Sequence, residues 1–246
     1  GSTNTSIYRN RIASTDTGVG VDTSATSNYN YIYSNMITTT GSSGEGIALQ
    51  SSSNYIYSNN LTTSGANSDG VLLYTSAFKN YVYDNNITTS NSGDGIQLYS
   101  SAYNNSVYNN VITTSGSGGI GFYIANDAYN NSVYNNNITA SNTVASYGIY
   151  LINATNNTFY KNSIASLSVG IIINGTSGTT EYKTKFNTFT NDTIVPCTTG
   201  CAENYFDIVL TANATDITFT NVSFNKSRIS IMPRDLAVPV ENNNLT

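Results

Sequence analysis

The sequence predicts an all-β fold: a right-handed parallel β-helix of about nine rungs, with three short parallel sheets and no substantial helix. Three observations predict it. The phrase Asn-x-(Ile/Val)-Tyr-x-Asn-x-(Ile/Leu) recurs from Asn30 to Ile37, Asn54 to Leu61 and Asn80 to Ile87. It returns, with small changes, from Asn105 to Ile112, Asn131 to Ile138 and Asn157 to Ile164. The apolar third position steps by 24–26 residues from Ile7 to Phe159, then by 30 to Phe189 and by 30 to Phe219. A period of this size indicates stacked units, each too small to bury its own apolar face. Between copies of the phrase runs a second marker, Gly-(Ile/Val)-x-(Leu/Ile/Phe).

The elements follow in order. A partial phrase opens the chain at Ile7, Tyr8, Asn10 and Ile12, and looser copies close it at Asn187 to Ile194 and Phe219 to Phe224. Within each phrase apolar and polar residues alternate, which gives a strand with one buried face. Ile32, Ile56, Val82, Val107 and Val133 then point inward. Tyr33, Tyr57, Tyr83, Tyr108, Tyr134 and Tyr160 point outward, extending from Tyr8, with Tyr31, Tyr55 and Tyr81 beside them. The sixth-position asparagines, Asn35, Asn59, Asn85, Asn110, Asn136 and Asn162, fall where the chain must turn. Asparagine tolerates left-handed backbone, and stacked amides can form a ladder. The marker supplies another strand per unit: Gly18-Val19-Gly20-Val21, Gly46-Ile47-Ala48-Leu49, Gly70-Val71-Leu72-Leu73, Gly95-Ile96-Gln97-Leu98, Gly119-Ile120-Gly121-Phe122, Gly148-Ile149-Tyr150-Leu151 and Gly170-Ile171-Ile172-Ile173. Asp207-Ile208-Val209-Leu210 is a late copy without the glycine. Nine rungs at about 4.8 Å each make a rod roughly 40–45 Å long.

These repeats resemble the right-handed parallel β-helix superfamily, in the NosD-like type of secreted and archaeal surface proteins. The resemblance spans nearly the whole chain. It implies the fold, while the fold hosts lyases, hydrolases, tailspikes, adhesins and surface-layer modules alike.

The unbroken period assigns residues 1–231 to one β-helix. Residues 232–246, with Pro233 and Pro239, read as an extended tail or linker. The chain reads as part of a longer protein. It carries no signal peptide or initiating Met, its leading Gly1-Ser2 reads as a scar, and a further β domain is expected after Thr246. Only 9% of residues are charged and the net charge is −5, so the basic footprint of a nucleic-acid binder is missing. No apolar run is long enough to insert this segment into a membrane.

The chain has two cysteines, Cys197 and Cys201, and no histidine. A local disulfide is expected between them, which fits an extracellular setting. Sequons at Asn60, Asn86, Asn137, Asn153 and Asn174 are candidate glycosylation sites, expected on exposed loops. Without histidine, Ser-His-Asp, Cys-His and imidazole-metal chemistry are excluded. Met36 and Met232 lie too far apart in sequence for a soft-metal cluster, which counts against the copper role attached to NosD-like proteins.

Carboxylates remain. Glu45, Asp69 and Asp94 each precede a marker glycine, and on successive rungs they would stack about 5 Å apart. Such an edge suits Ca²⁺ or a sugar, and equally suits turn residues. No other cofactor is expected. The tyrosine stripe offers flat rings to sugars or to a partner protein. The leading expectation is a non-enzymatic extracellular structural or surface protein, an S-layer-like, adhesin or filament component that contacts other surface proteins, itself or glycans. The alternative is a carbohydrate-active β-helix, as a lyase or hydrolase or as a glycan-binding module.

Overall fold

The computed structural model describes residues 1–175, 184–211, 214–232 and 244–245, the last two and Met232 by backbone alone. Among them the chain is a parallel β-helix, right-handed as parallel crossovers are. Sheet A has ten strands, from Ser6–Tyr8 to Asn244–Leu245; sheet B has eight, from Arg11–Ser14 to Thr193–Val195; sheet C has nine, from Val21–Thr23 to Ile229–Met232. Each strand pairs in parallel with the strand one rung away, so like positions stack into columns: Ile32 on Ile56, Ile56 on Val82, Val82 on Val107. The one helical element described is the 3₁₀ turn Lys226–Arg228.

The third-position residues Ile32, Ile56, Val82, Val107, Val133, Phe159, Phe189 and Phe219 are fully buried. Burying one such side chain is worth about 1.5–3 kcal/mol. Phe159, Phe189 and Phe219 also stack within the core, at 4.5 and 4.8 Å.

Two corners flank sheet A, and their geometry corrects the expected role of the sixth-position asparagines. The left-handed residue is the one before each of them: Ser34, Ser58, Asp84, Asn109, Asn135 and Lys161, all with φ of 54–57°. The asparagine that follows turns its amide into the interior. A second corner repeats the arrangement, with Tyr29, Ser53, Lys79, Asn104, Asn130 and Asn156 left-handed and Asn30, Asn54, Asn80, Asn105, Asn131 and Asn157 buried behind them.

The marker strands need a register correction. Ile96 pairs with Phe122, so Gly95 stacks on Gly121 rather than on Gly119, and Val21 pairs with Ile47, which places Gly20 rather than Gly18 in that column. A shift of two preserves side-chain alternation, so both frames look alike in sequence. The column requires glycine: a Cβ on Gly95 would lie 2.5 Å from the Gly121 carbonyl oxygen.

At the C-terminal end, Met232 closes a sheet C strand, and Asn244–Leu245 pairs with Thr218–Phe219. Most of the expected tail, residues 233–243 and 246, lies outside the described residues, as does Lys183.

Candidate functional site

The asparagines build two continuous ladders. In the ladder at the corner that follows each sheet A strand, the backbone N–H and side-chain amide of Asn85 both donate to Asn110 Oδ1 at 3.0 Å, and the same amide donates to the Ile56 carbonyl. The pattern runs from Asn35 through Asn59, Asn85, Asn110, Asn136 and Asn162 to Asp192. The second ladder, from Asn30 to Asn187, repeats the amide-to-amide bonds, and the Asn54 amide turns to the Ser51 hydroxyl instead of a carbonyl one rung back. These amides are buried and occupied with backbone groups, so they hold the corners and do not face a ligand.

Asp192 is the exception. Its Oδ1 accepts from both Asn162 donors, at 2.7 and 2.9 Å. Its Oδ2 is buried without a partner. By register, the position where each asparagine amide donates to the preceding rung here faces the Phe159 carbonyl. Burial pushes the carboxyl up to about 6, against the opposing pull of the Asn162 bonds.

The expected tyrosine stripe is a stack. Tyr8, Tyr33, Tyr57, Tyr83, Tyr108 and Tyr134 lie 4.8–5.1 Å apart with interplanar angles of 2–6°. Tyr31, Tyr55 and Tyr81 form a parallel stack. Tyr160 is in the backbone register but leaves the stack, and Lys161 sits 4.9 Å over its ring. Each ring face in the stacks is covered by its neighbour. Solvent meets ring edges and hydroxyls, so the flat stacking faces expected for sugars are not available there.

The acids occupy the edge of sheet C. Asp69 and Asp94 are both 7% exposed. Asp69 Oδ1 accepts from the Asp94 N–H, and Asp94 Oδ1 accepts from the Ile120 N–H, each at 2.8 Å. Burial raises both carboxyls above the usual range, and each also feels the acid one rung before it. Glu45 is half-buried, and burial raises it too, with Asp22 adding to the effect. Among the described residues no three Asp, Glu, Cys or His side chains converge to hold a metal ion.

The outer face of sheet C, beside these acids, is where the repeat loses its uniformity. One column reads Asp22, Ala48, Leu72, Gln97, Tyr123, Tyr150. Next to it, Gln50, Tyr74 and Tyr99 follow their strands. The Gln50 amide donates to the Tyr74 hydroxyl, and the Asn174 amide to the Tyr150 hydroxyl at 2.9 Å. Tyr123 and Tyr150 stack at 5.3 Å with their planes tilted by 21°, while Tyr147 meets Tyr150 edge-on at 79°. Burial raises the Tyr123 hydroxyl strongly, with Tyr150 and Asp94 contributing. The sequence reading missed this cluster. Laying the marker strands in register would have exposed it, because the tyrosines replace small or aliphatic residues at the outward position.

The remaining candidates are placed as follows. Cys197 and Cys201 are joined in the loop between Thr193–Val195 and Phe206–Thr211. A depression of about 240 Å³ beside it is lined by Thr139, Leu167, Pro196 and Thr198, without a titratable group. Asn60, Asn86 and Asn137 are not on loops: each opens a sheet B strand and points outward. Asn and Thr two apart both face outward there, so the strand register itself generates the sequon. Asn153 lies in a left-handed turn, and Asn174 is engaged by Tyr150 and Thr211.

The sequence model of a family described as periplasmic copper-binding protein (NosD) matches residues 1–147, more than half of the chain. The chain belongs to the NosD family. The description places that family in the cell envelope, and the disulfide fits such an oxidising compartment. Copper favours imidazole, thiolate or thioether donors. This chain has no histidine, its cysteines are oxidised, Met36 lies in sheet B and Met232 in sheet C. The donor set does not fit the metal in the family's description.

No curated protein matches the chain. Among solved structures, the Dettilon tailspike protein (gp208) aligns with a TM-score of 0.64 at 14% identity, covering 94% of this chain and 53% of the tailspike. This chain therefore spans about half of that protein, and the likeness is one of fold. The periplasmic alginate epimerase AlgG aligns at 0.44 and 12% identity, over 83% of this chain and 51% of that one. The Azotobacter vinelandii mannuronan C-5 epimerase AlgE4 A-module aligns at 0.36 and 12%, over 98% and 90%.

Proposed function

We propose that this chain is an envelope-exposed or secreted glycan-binding β-helix, and that the glycan lies along the outer face of sheet C. One observation carries the reading. The tyrosines of sheet A cover one another, whereas Tyr74, Tyr99, Tyr123, Tyr147 and Tyr150 are half-buried and interleaved with Gln50, Gln97 and Asn174, with Tyr123 tilted on Tyr150 and Tyr147 edge-on to it. Aromatic surface beside amides suits the two sides of a sugar, its C–H face and its hydroxyl rim. The column spacing also suits an extended polymer, because successive rungs present their outward side chains at a regular step. The reading is binding rather than turnover, because Asp69 and Asp94, the two buried acids beside the tyrosine cluster, each spend an oxygen on a backbone N–H group.

Calorimetric titration with a panel of oligosaccharides tests the reading. Tyr99→Ala and Tyr123→Ala should each weaken binding about tenfold or more, while Tyr57→Ala in sheet A should not. Equal binding by all three variants, or no binding by the parent, would overturn it. Release of reducing ends from any polymer would convert the binder into an enzyme.

A second reading, a surface or filament component, rests on the sheet A stripe, which runs over the first six rungs from Tyr8 through Tyr33, Tyr57, Tyr83 and Tyr108 to Tyr134. It requires self-association or partner capture that Tyr57→Lys and Tyr83→Lys abolish in sedimentation velocity.

A further inference from the structure

The glycan site just described, on which this inference rests, has a marked electrostatic character. Asp22 stands in the outward column itself, and Glu45, Asp69 and Asp94 follow on the next three rungs, each just before a marker glycine at the edge of the face. Each influences the next: Asp22 acts on Glu45, Glu45 on Asp69, Asp69 on Asp94, and both aspartates on Tyr123. No described sheet C strand contains Lys or Arg from Val21–Thr23 through Phe206–Thr211. The described basic residues lie elsewhere: Arg9 and Lys161 at the corner leaving sheet A, Arg11 in sheet B, Lys79 and Lys185 at the corner entering sheet A, and Lys226 and Arg228 in the last turn.

From this we infer that the face selects neutral polysaccharide, hexose or N-acetylhexosamine polymers, and rejects polyuronates. A uronate polymer carries a carboxylate on every residue. Laid along sheet C, it would bring a row of negative charge against Asp22, which is exposed, and Glu45, which is half-buried, with no Arg or Lys among the described sheet C strands from Val21–Thr23 through Phe206–Thr211 to receive it. Juxtaposed like charges discriminate strongly against a partner, and here that repulsion is the specificity element. Neutral sugars lose nothing beside the same edge, and the Gln50, Gln97 and tyrosine hydroxyl groups are neutral partners suited to sugar hydroxyls. The ligand class thus follows from what the face lacks as much as from what it presents.

The test compares cello- and N-acetylchito-oligosaccharides with oligogalacturonate and oligomannuronate of equal length, by calorimetry at low salt. A neutral oligomer should bind, and the uronates should bind about tenfold more weakly or not at all. The double variant Asp22→Asn/Glu45→Gln should narrow that ratio several-fold, and so should added salt, which screens the repulsion. Both substitutions are at side chains with no hydrogen-bonding role in the ladders. Uronates binding as tightly as the neutral oligomers would overturn the selectivity and leave the glycan site standing, as would a ratio indifferent to both the variant and salt. Binding of neither class would overturn the glycan site itself, and this inference with it.

Discussion

Replacing Asp192 with asparagine should stabilise the protein, and only above a certain pH. In every preceding rung of its ladder an amide donates to a carbonyl one rung back, as Asn162 does to Val133 at 2.9 Å. Asp192 can do the same only when protonated, because an ionised Oδ2 would turn a lone pair on the Phe159 carbonyl. The acid is held at about 6 against an ordinary 3.8. A folded value above the unfolded one means that the folded state holds the proton more tightly. The contribution to stability is therefore complete below about pH 4 and lost as pH rises through 6. About two pKa units correspond to roughly 3 kcal/mol. Asp192→Asn supplies the donor at every pH. Urea unfolding at pH 4 and pH 8 should show a near-zero difference from the parent at pH 4 and a gain of about 2–3 kcal/mol at pH 8. A difference that does not change with pH, or a loss of stability at pH 8, would refute the argument that this residue acts as a protonated stand-in for asparagine.

Other perturbations follow from the same geometry. Asn110→Ala removes the acceptor shared by two Asn85 donors and the donor to the Val82 carbonyl, which should cost about 2–4 kcal/mol in chemical denaturation. Tyr83→Ala breaks two ring stacks, with Tyr57 and Tyr108; the expected loss is about 1–3 kcal/mol, with oligosaccharide affinity unchanged in the same preparation. Gly95→Ala drives a methyl group into the Gly121 carbonyl and should lower the thermal midpoint more than Gly200→Ala, whose site is open but left-handed.

The fold was legible because each rung repeats one inward apolar residue, and Ile32, Ile56 and Val82 announce their face by alternation alone. What sequence reasoning misplaced has a common cause. At the corners the left-handed residue is Ser34, Asp84 or Lys161, side chains with little shared preference. Asn109 and Asn135 favour that conformation, but on the other rungs the neighbouring strands impose it, so residue identity carries no consistent signal. The asparagine behind it carries a strong one, and attracted the turn assignment. Asn30 and its column were passed over as ladder members because the phrase alone does not say which of its two asparagines turns inward. The Gly119 frame failed because a slip of two leaves alternation intact. The sheet C tyrosines were hidden for a different reason: Tyr74, Tyr99, Tyr123 and Tyr150 become neighbours only when rungs are superposed, and their intervals in the chain vary.

The two asparagine columns have a consequence for how such a molecule can change. From Asn30 and Asn35 through Asn187 and Asp192, and on to the apolar pair Ile217 and Val222 where both ladders end, the two columns stay five residues apart on every rung. All variation in rung length, from 24 to 30 residues, therefore falls elsewhere, in the arc that carries sheets B and C and the disulfide loop. The segment between the ladders behaves as a fixed gauge, like the rails of a track, on which whole rungs can be added or removed. The opposite side is free to lengthen and to vary its outward residues without disturbing that gauge. A new binding surface can arise there by local insertion and substitution while the spine remains as it is.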